Sequence, residues 1–383
     1  VDINHQKFDK IRSFHDSEVK ATLQKLRENA FFLKIIAKLF PNADVSPFVA
    51  GLLNINTISE FQSKIISQFT KRIIRDSIKK LTYSGLGNLD PKKAYLFIST
   101  HRDIVLDSAL LNDTLLSNGF GTTEIAIGGN LLIYDWIETI VKLNRSFIVR
   151  RDLHGKEMLF ASQTLSEYIR KKIELENTSV WIAHREGRTK DGNDATQTAL
   201  LKMLNMSGQA DLISNFSNLN IVPLSISYEF ETCISHKIKE IYAKRNGIPY
   251  QKTKEDDLQS MGEGIFGKKG EVHIHFGKPL SDELQPLNDI HKPNDRFDAL
   301  KQIIDNQLHR NYYLTEGNYI GHDLFYNKTD FFQQGKYNRA QLEKFTNVGR
   351  EKTAGVEGNK DELFDIFCEI YAMPLENKLK LGI

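Results

Sequence analysis

The hydrophobic positions change period twice along the chain. From Ser17 to Tyr83 they recur at helical spacing, first in LRENAFFLKIIAKLF and then in FQSKIISQFTKRIIRDSIKKL, which predicts a helical N-terminal region over residues 1–83. Between Ala94 and Pro279 the pattern becomes a series of short apolar runs, YLFIST, EIAIGG, SFIVRR, SVWIAH, NIVPLSISYEF and EVHIHFG, separated by helical or Gly- and Asn-bearing segments. Strands alternating with helices predict an α/β core over residues 84–285, a central mixed sheet flanked by helices. After Pro279 the helical period returns in DRFDALKQIIDNQLHRNYYL and ELFDIFCEIYAM, giving a helical C-terminal region over residues 286–383. The polar stretch HKIKEIYAKRNGIPYQKTKEDDLQSMGEGIFGKKG, ahead of the last strand, reads as a surface insertion or a flap.

Composition narrows the function. The 383 residues are 40% hydrophobic and 26% charged, enough for a sizeable core, and the net charge of +2 provides no global field to attract nucleic acid. Any basic surface has to be local. Cys233 and Cys368 stand far apart without CxxC spacing or a nearby histidine pair, which argues against a disulfide framework or a zinc site and fits a reducing cytoplasm. No metal and no resident cofactor are expected. The N-terminal stretch is polar throughout, and no window has the roughly 18 uninterrupted apolar residues of a membrane span. If a membrane is involved, the protein is expected to lie on it.

The segment STHRDIVLDSALL carries the first chemistry. A strand, YLFIST, runs into His101 and an apolar helical pattern begins a few residues later, so His101 belongs at a strand-to-helix turn, where sites of α/β sheets assemble. A histidine with an unperturbed pKa of ~6.5 can accept a proton near neutrality, and a carboxylate on the next turn can hold its second nitrogen. Asp103 and Asp107 are the available acids. HRD also opens the catalytic loop of protein kinases, but the position of their metal-binding Asn is Ser108 here, and DFG and a Gly-rich loop are missing.

Three further segments follow in order: GGNLLIYDWIETIVKLNRSFIVRRD, WIAHREGRTKDG and NIVPLSISYEF. Together with the histidine segment they resemble the glycerolipid acyltransferase family, from about Tyr83 to the terminal EVHIHFGKPL. That family has a His-x-x-x-x-Asp block, an Ile-Arg-Arg type segment, Glu-Gly-x-Arg and a Pro-containing strand. The resemblance implies direct transfer of a fatty acyl group from acyl-CoA or acyl carrier protein to a hydroxyl of glycerol 3-phosphate or a lysophospholipid. FIVRRD is similar to the glycerol-3-phosphate branch. This chain departs twice from the pattern. Five residues, not four, separate His101 from Asp107, and Leu110 and Leu111 shift by the same step, so Asp107 looks like the counterpart, with Asp103 as the fallback. Glu186, Gly187 and Arg188 run without the intervening residue, so either Arg188 shifts or Arg185 shares its task.

Attack of an alcohol on a thioester needs a base, which His101 supplies, with Asp107 orienting its imidazole as the acid does in a hydrolase triad. No GxSxG nucleophile elbow argues for an acyl-enzyme. Arginine forks suit phosphate, with Arg188 first and Arg150 or Arg151 next; strand alternation would turn only one of that pair inward. Glu186 positions Arg188 or holds its loop, Gly187 lets the backbone approach a ligand, and Asn130 either bonds substrate or caps the helix that follows.

The helical region offers a membrane surface. In KIISQFTKRIIRDSIKKL, Ile65, Ile66, Phe69, Ile73, Ile74 and Ile78 share a face and Lys64, Lys71, Arg72, Arg75, Lys79 and Lys80 fall among the rest. The same face would equally pack on the core. FFLKIIAKLF is a second candidate. Two classes therefore stand: an acyltransferase on the cytoplasmic face of a membrane, and a catalytically inactive lipid-phosphate-binding peripheral membrane protein of the same fold. The base with its acidic partner favours the enzyme.

Overall fold

The computed structural model describes residues 7–39, 46–132 and 134–383. Seven strands form one mixed sheet: β1 Ile78–Ser84, β2 Leu96–Ser99, β3 Glu124–Gly128, β4 Ser146–Val149, β5 Val180–Ala183, β6 Ile221–Tyr228 and β7 Gly270–Phe276, in the order β1-β7-β6-β2-β5-β3-β4. The five strands from β6 to β4 run parallel; β7 pairs antiparallel with β6 and parallel with β1. All six apolar runs picked out above are strands. Central β2 and β6 are buried on both faces, which is why they read as continuous apolar runs.

The helices of eight or more residues in the first half are α1 Asp16–Glu28, α2 Ala30–Leu39, α3 Ser67–Ser77, α4 Leu106–Ser117, α5 Asp135–Leu143 and α6 Gly155–Arg170. They are followed by α7 Thr198–Asn205, α8 Ile234–Arg245, α9 Lys254–Phe266, α10 Pro293–Asn311, α11 Glu316–Phe325, α12 Arg339–Ala354 and α13 Lys360–Leu379. One face of the sheet, with Phe97, Trp181, Leu224 and Ile274, packs against α3 and α4. The other, with Leu96, Ile98, Val180 and Ile182, lies under α6, α7 and α10. A separate cluster joins α8 to α11, α12 and α13, and another joins α1 and α2 to α5.

The helix expected to run on to Leu81 stops at Ser77, and Ile78, Lys79 and Lys80 belong to the edge strand β1. The helical period misleads there because an edge strand carries exposed lysines and only a half-buried alternation. The apolar face of α3 packs on the protein itself: Ile73 is buried, and Phe69 and Ile74 pack against the sheet cluster. Ile65 and Ile66 pack with the N-terminal cluster. Within FFLKIIAKLF, Phe32, Leu33 and Ile36 also face that cluster, whereas Phe40 lies outside the described residues.

Topology creates the crevice in which the candidate residues meet. The chain leaves β2 through α4 on one face to reach β3, and leaves β5 through α7 on the other face to reach β6. Connections departing to opposite faces open a cleft beyond the carboxyl ends of β2 and β5. The segment expected as an insertion or flap is α8 and α9. Gly264 of α9 is buried against this turn: a Cβ there would stand 2.6 Å from Asp103 Oδ2, while one on Gly262 would meet nothing within 4 Å.

Two glycines in one helix should thus respond oppositely to the same change. Gly262→Ala should raise stability by up to about 1 kcal/mol through helix propensity, and Gly264→Ala should lower it by about 1–3 kcal/mol through overpacking. Thermal unfolding of the two variants checks this, and equal shifts would show that α9 does not press on Asp103.

Candidate active site

The turn after β2 is built around one carboxylate. Asp107, in the first turn of α4 and 1% exposed, accepts at Oδ2 from His101 Nδ1 (2.8 Å), Arg102 N (2.7 Å) and Asp103 N (3.0 Å). Its Oδ1 accepts from the Tyr228 hydroxyl at 2.7 Å. Asp103 faces elsewhere, its Oδ1 accepting from the amides of Val105 and Leu106, both at 2.9 Å, to start the helix. The carboxylate on the imidazole is therefore Asp107. Residues 101–105 stay outside the helix, which absorbs the extra residue between His101 and Asp107.

Two contacts fix the ring of His101 and a third holds its backbone. Nδ1 is taken by Asp107, Trp181 packs edge-to-face at 5.6 Å, and the His101 carbonyl accepts from Thr189 N at 2.8 Å. Nε2 is the nitrogen left for a substrate. Burial, and then the charge of Asp107, push the Tyr228 phenol well above its ordinary range, so it remains a donor.

Arg188 sits in the loop after β5, whose turn includes Gly187 at φ +68°, a left-handed conformation that favours glycine. It is 8% exposed, and among the described residues it has no ion pair; its Nη1 is buried without a hydrogen-bond partner. Arg185 Nε is likewise buried and unpartnered. The loop between α8 and α9 brings Tyr250 and Lys252 into the field of Arg188; burial first, and Arg188 second, lower the Lys252 ammonium below its usual range. Lys252 has Glu240 at 3.7 Å, whereas Arg188 has no ion pair among the described residues, and a buried guanidinium in that position suits an anion.

The second block reaches the same end of the sheet. Arg151 packs over Gly128, where a Cβ would stand 2.7 Å from Asn130 Oδ1 and 2.8 Å from Arg151 Cζ, and its Nε lies 3.8 Å from Glu186 Oε1. Glu186 thus faces Arg151 and not Arg188, and its amide donates to Gln197 Oε1 at 2.8 Å. Arg150 is exposed and joins none of these contacts. Asn130 is not the cap of α5: that helix starts at Asp135 with Tyr134 at its N-cap, because a short 3₁₀ turn, Gly129–Leu131, intervenes.

Behind the turn lies a charge network that the sequence did not reveal. Arg102, fully buried, donates to Asp194 Oδ2 (2.5 Å), Glu231 Oε2 (3.1 Å) and Gly192 O (3.1 Å), and its guanidinium stands 5.3 Å from the Tyr312 ring centroid. Lys237 bonds Glu231 and donates to Arg102 O at 3.0 Å; Thr189 donates to Asp194 at 2.7 Å. Two cations meet two anions, so burial opposes ionisation but the opposite charges prevail, holding Arg102 above and Asp194 below their ordinary values. Beside it, burial lowers His184 to about 4, which keeps that imidazole neutral at pH 7. Tyr228 and Arg102 both stand inside quoted motifs, but their partners lie 121 and at least 90 residues away, a distance at which no local pattern reports.

No family model matches the chain. It is 24% identical to a curated protein, dihydroxyacetone phosphate acyltransferase of Bos taurus, over 224 residues, which is 57% of this chain and 30% of that protein. The chain thus spans less than a third of that relative's length. Among solved structures it resembles a 1-acyl-sn-glycerophosphate (LPA) acyltransferase, PlsC, from Thermotoga maritima, at 10% identity and a TM-score of 0.37, covering 76% of this chain and 91% of that one. That overlay is too loose to bear on the site. Four ordered sequence blocks and the curated match relate the α/β core of this chain to the glycerolipid acyltransferases.

Proposed function

We propose that the protein transfers a fatty acyl group from an acyl thioester directly to a hydroxyl of a phosphate-bearing glycerol acceptor. One juxtaposition supports this reading most: an imidazole held through Nδ1 by a buried carboxylate stands beside a loop whose buried arginine has no carboxylate of its own among the described residues. His101 Nε2 takes the hydroxyl proton as the alcohol oxygen bonds to the thioester carbon. Asp107 stabilises the imidazolium so formed, which returns the proton to sulfur as the carbon–sulfur bond breaks. Arg188, with Arg185 and Arg151 nearby in the chain's loops, clamps the acceptor phosphate and holds its hydroxyl in line.

The acceptor is glycerol 3-phosphate or a lysophospholipid, and the curated relative's name adds dihydroxyacetone phosphate, which offers the same phosphate and a free hydroxyl. The donor is acyl-CoA or acyl carrier protein. Such products enter a membrane, so the protein works as a peripheral protein on its cytoplasmic face; no described helix is long and apolar enough to cross one. Incubating purified protein with a labelled acyl thioester and each acceptor, then identifying the product, tests the reading. Phosphate-acceptor binding without acyl transfer to any of them would leave a binding protein instead.

Three substitutions separate the roles. His101→Ala should lower turnover at least ~100-fold with folding retained, as expected for a positioned general base; near-normal turnover would remove it from the mechanism. Arg188→Lys should raise the KM of phosphorylated acceptors while leaving that of the donor nearly unchanged, because an ammonium cannot reproduce the forked contact. Equal losses would point to a structural role for the loop. Tyr228→Phe removes one of four donors to Asp107, leaves more of its charge to the imidazole, and should move the acid limb of the kcat–pH profile to higher pH with about a 10-fold loss of kcat. An unshifted limb would make Tyr228 a packing residue only.

A further inference from the structure

We infer that the sheet face turned away from His101 carries a second anion site, suited to an organic phosphate. His101, Trp181 and Tyr228 belong with the α4 side of the sheet, as do Val272, Ile274 and Phe276 of β7. Alternation sends the intervening His273 and His275 to the opposite face, where β1 and β7 meet the C-terminal helices. A cavity of about 600 Å³ lies there. Neither it nor an adjoining cavity of about 470 Å³ is lined by His101 or by any arginine of the four motif blocks.

The wall chemistry is what points to an anion. Arg310, Lys336 and Lys378 line the 600 Å³ cavity and no Asp or Glu side chain does, although Lys336 is shared with the adjoining cavity, which Glu229, Glu271 and Glu316 line. Among the described residues none of these three cations has an ion pair: Lys378 Nζ stands 3.4 Å from Tyr312 O, and Lys336 lies 5.6 Å from the Tyr319 ring centroid. Of the three, Lys378 is half-buried, whereas Arg310 and Lys336 are exposed at the cavity's rim; half-buried or buried cations elsewhere, such as Arg102, Arg170, Lys172 and Lys237, have carboxylates. On the floor, Ser84 Oγ sits 2.8 Å from both His273 Nε2 and His275 Nδ1, and Thr82 Oγ1 lies 2.7 Å from His273 Nδ1. This is a half-buried polar floor, its groups bonded to one another, on a sheet face that elsewhere is apolar.

The remaining wall sets the rest of the ligand. Tyr313 lies over His273 with centroids 5.2 Å apart, Phe331 packs on Tyr319 at 5.3 Å, and Leu314 and Leu375 complete an apolar side. An anion flanked by rings and aliphatic groups matches a phosphate carried on a planar or apolar body, as in a nucleotide or a lysophospholipid, better than a free ion. Tyr312 also lines the cavity and stacks on the guanidinium of Arg102, which places this site directly behind the turn that holds Asp107.

Isothermal titration of the full chain with inorganic phosphate, adenosine 3′,5′-bisphosphate and a short-chain lysophosphatidate below its micelle concentration tests the site. Saturable binding of at least one organic phosphate is expected in the parent and in Arg188→Ala, and about 10-fold or more weaker binding in Arg310→Ala/Lys378→Ala. Lys336→Glu, an exposed change that leaves the fold alone, should weaken it in the same direction. The two organic ligands tell a nucleotide site from a lipid one. The inference fails if none binds, if Arg188→Ala abolishes all binding, if the cation variants bind like the parent, or if inorganic phosphate binds as tightly as either organic ligand.

Discussion

A single carboxylate organises the centre of the molecule. Asp107 accepts four hydrogen bonds, two from backbone amides of the turn, one from the imidazole and one from a tyrosine on a different strand. The first turn of α4 also favours a negative charge there. With both oxygens engaged, the carboxylate can be almost completely buried, and the turn has one way to wrap it. His101 is thereby held in register with the end of β5, where the arginine loop begins. The ring orientation follows from the fold and is not chosen by the side chain.

The network around Arg102 makes the same point in the layer behind. A buried ion pair contributes little net stability, since desolvation offsets attraction, but removing one partner costs about 3–5 kcal/mol. Arg102 follows His101 in the chain, Asp194 and Thr189 follow the arginine loop, and Glu231 and Lys237 begin the passage into α8. Each of these segments supplies a charge that the others need. The loops at the ends of β2, β5 and β6 are therefore locked to one another, and Tyr312 and Tyr371 tie them to the C-terminal helices.

Most of the sheet was legible because its strands are apolar on both faces and bounded by turn residues. β1 was not, since an edge strand shows lysines to solvent and its seven residues continue a helical period. The spacing of Leu110 and Leu111 identified Asp107 as the acid facing His101, because an insertion that shifts a whole helix leaves its own pattern intact. Of the two readings of Asn130 the cap does not hold: a 3₁₀ turn between a strand and a helix leaves no periodicity, and the N-cap is Tyr134, four residues later. Nothing local distinguished Lys237, 2% exposed, from its solvated neighbours in HKIKEIYAK, and α9 with its buried Gly264 was taken for surface for the same reason. Burial of a charge is decided by a partner far away in sequence.

The reversal of direction between β6 and β7 explains why the two halves of the sheet differ. The parallel half needs helices on both faces, so both faces must be apolar, and its functional residues are confined to the strand ends. Beyond β6 the chain can place polar residues within a strand, because β7 and β1 have one face against α3 and the core and the other against helices that do not seal it. EVHIHFG alternates accordingly, with valine, isoleucine and phenylalanine inward and histidines outward. A strand that alternates in this way beside a fully buried one marks the point where the core ends. The His273 and His275 floor lies at that boundary, under C-terminal helices whose own core is separate. The sheet thus offers chemistry in two places for two reasons: at strand ends where connections diverge, and on a strand face where the covering layer changes.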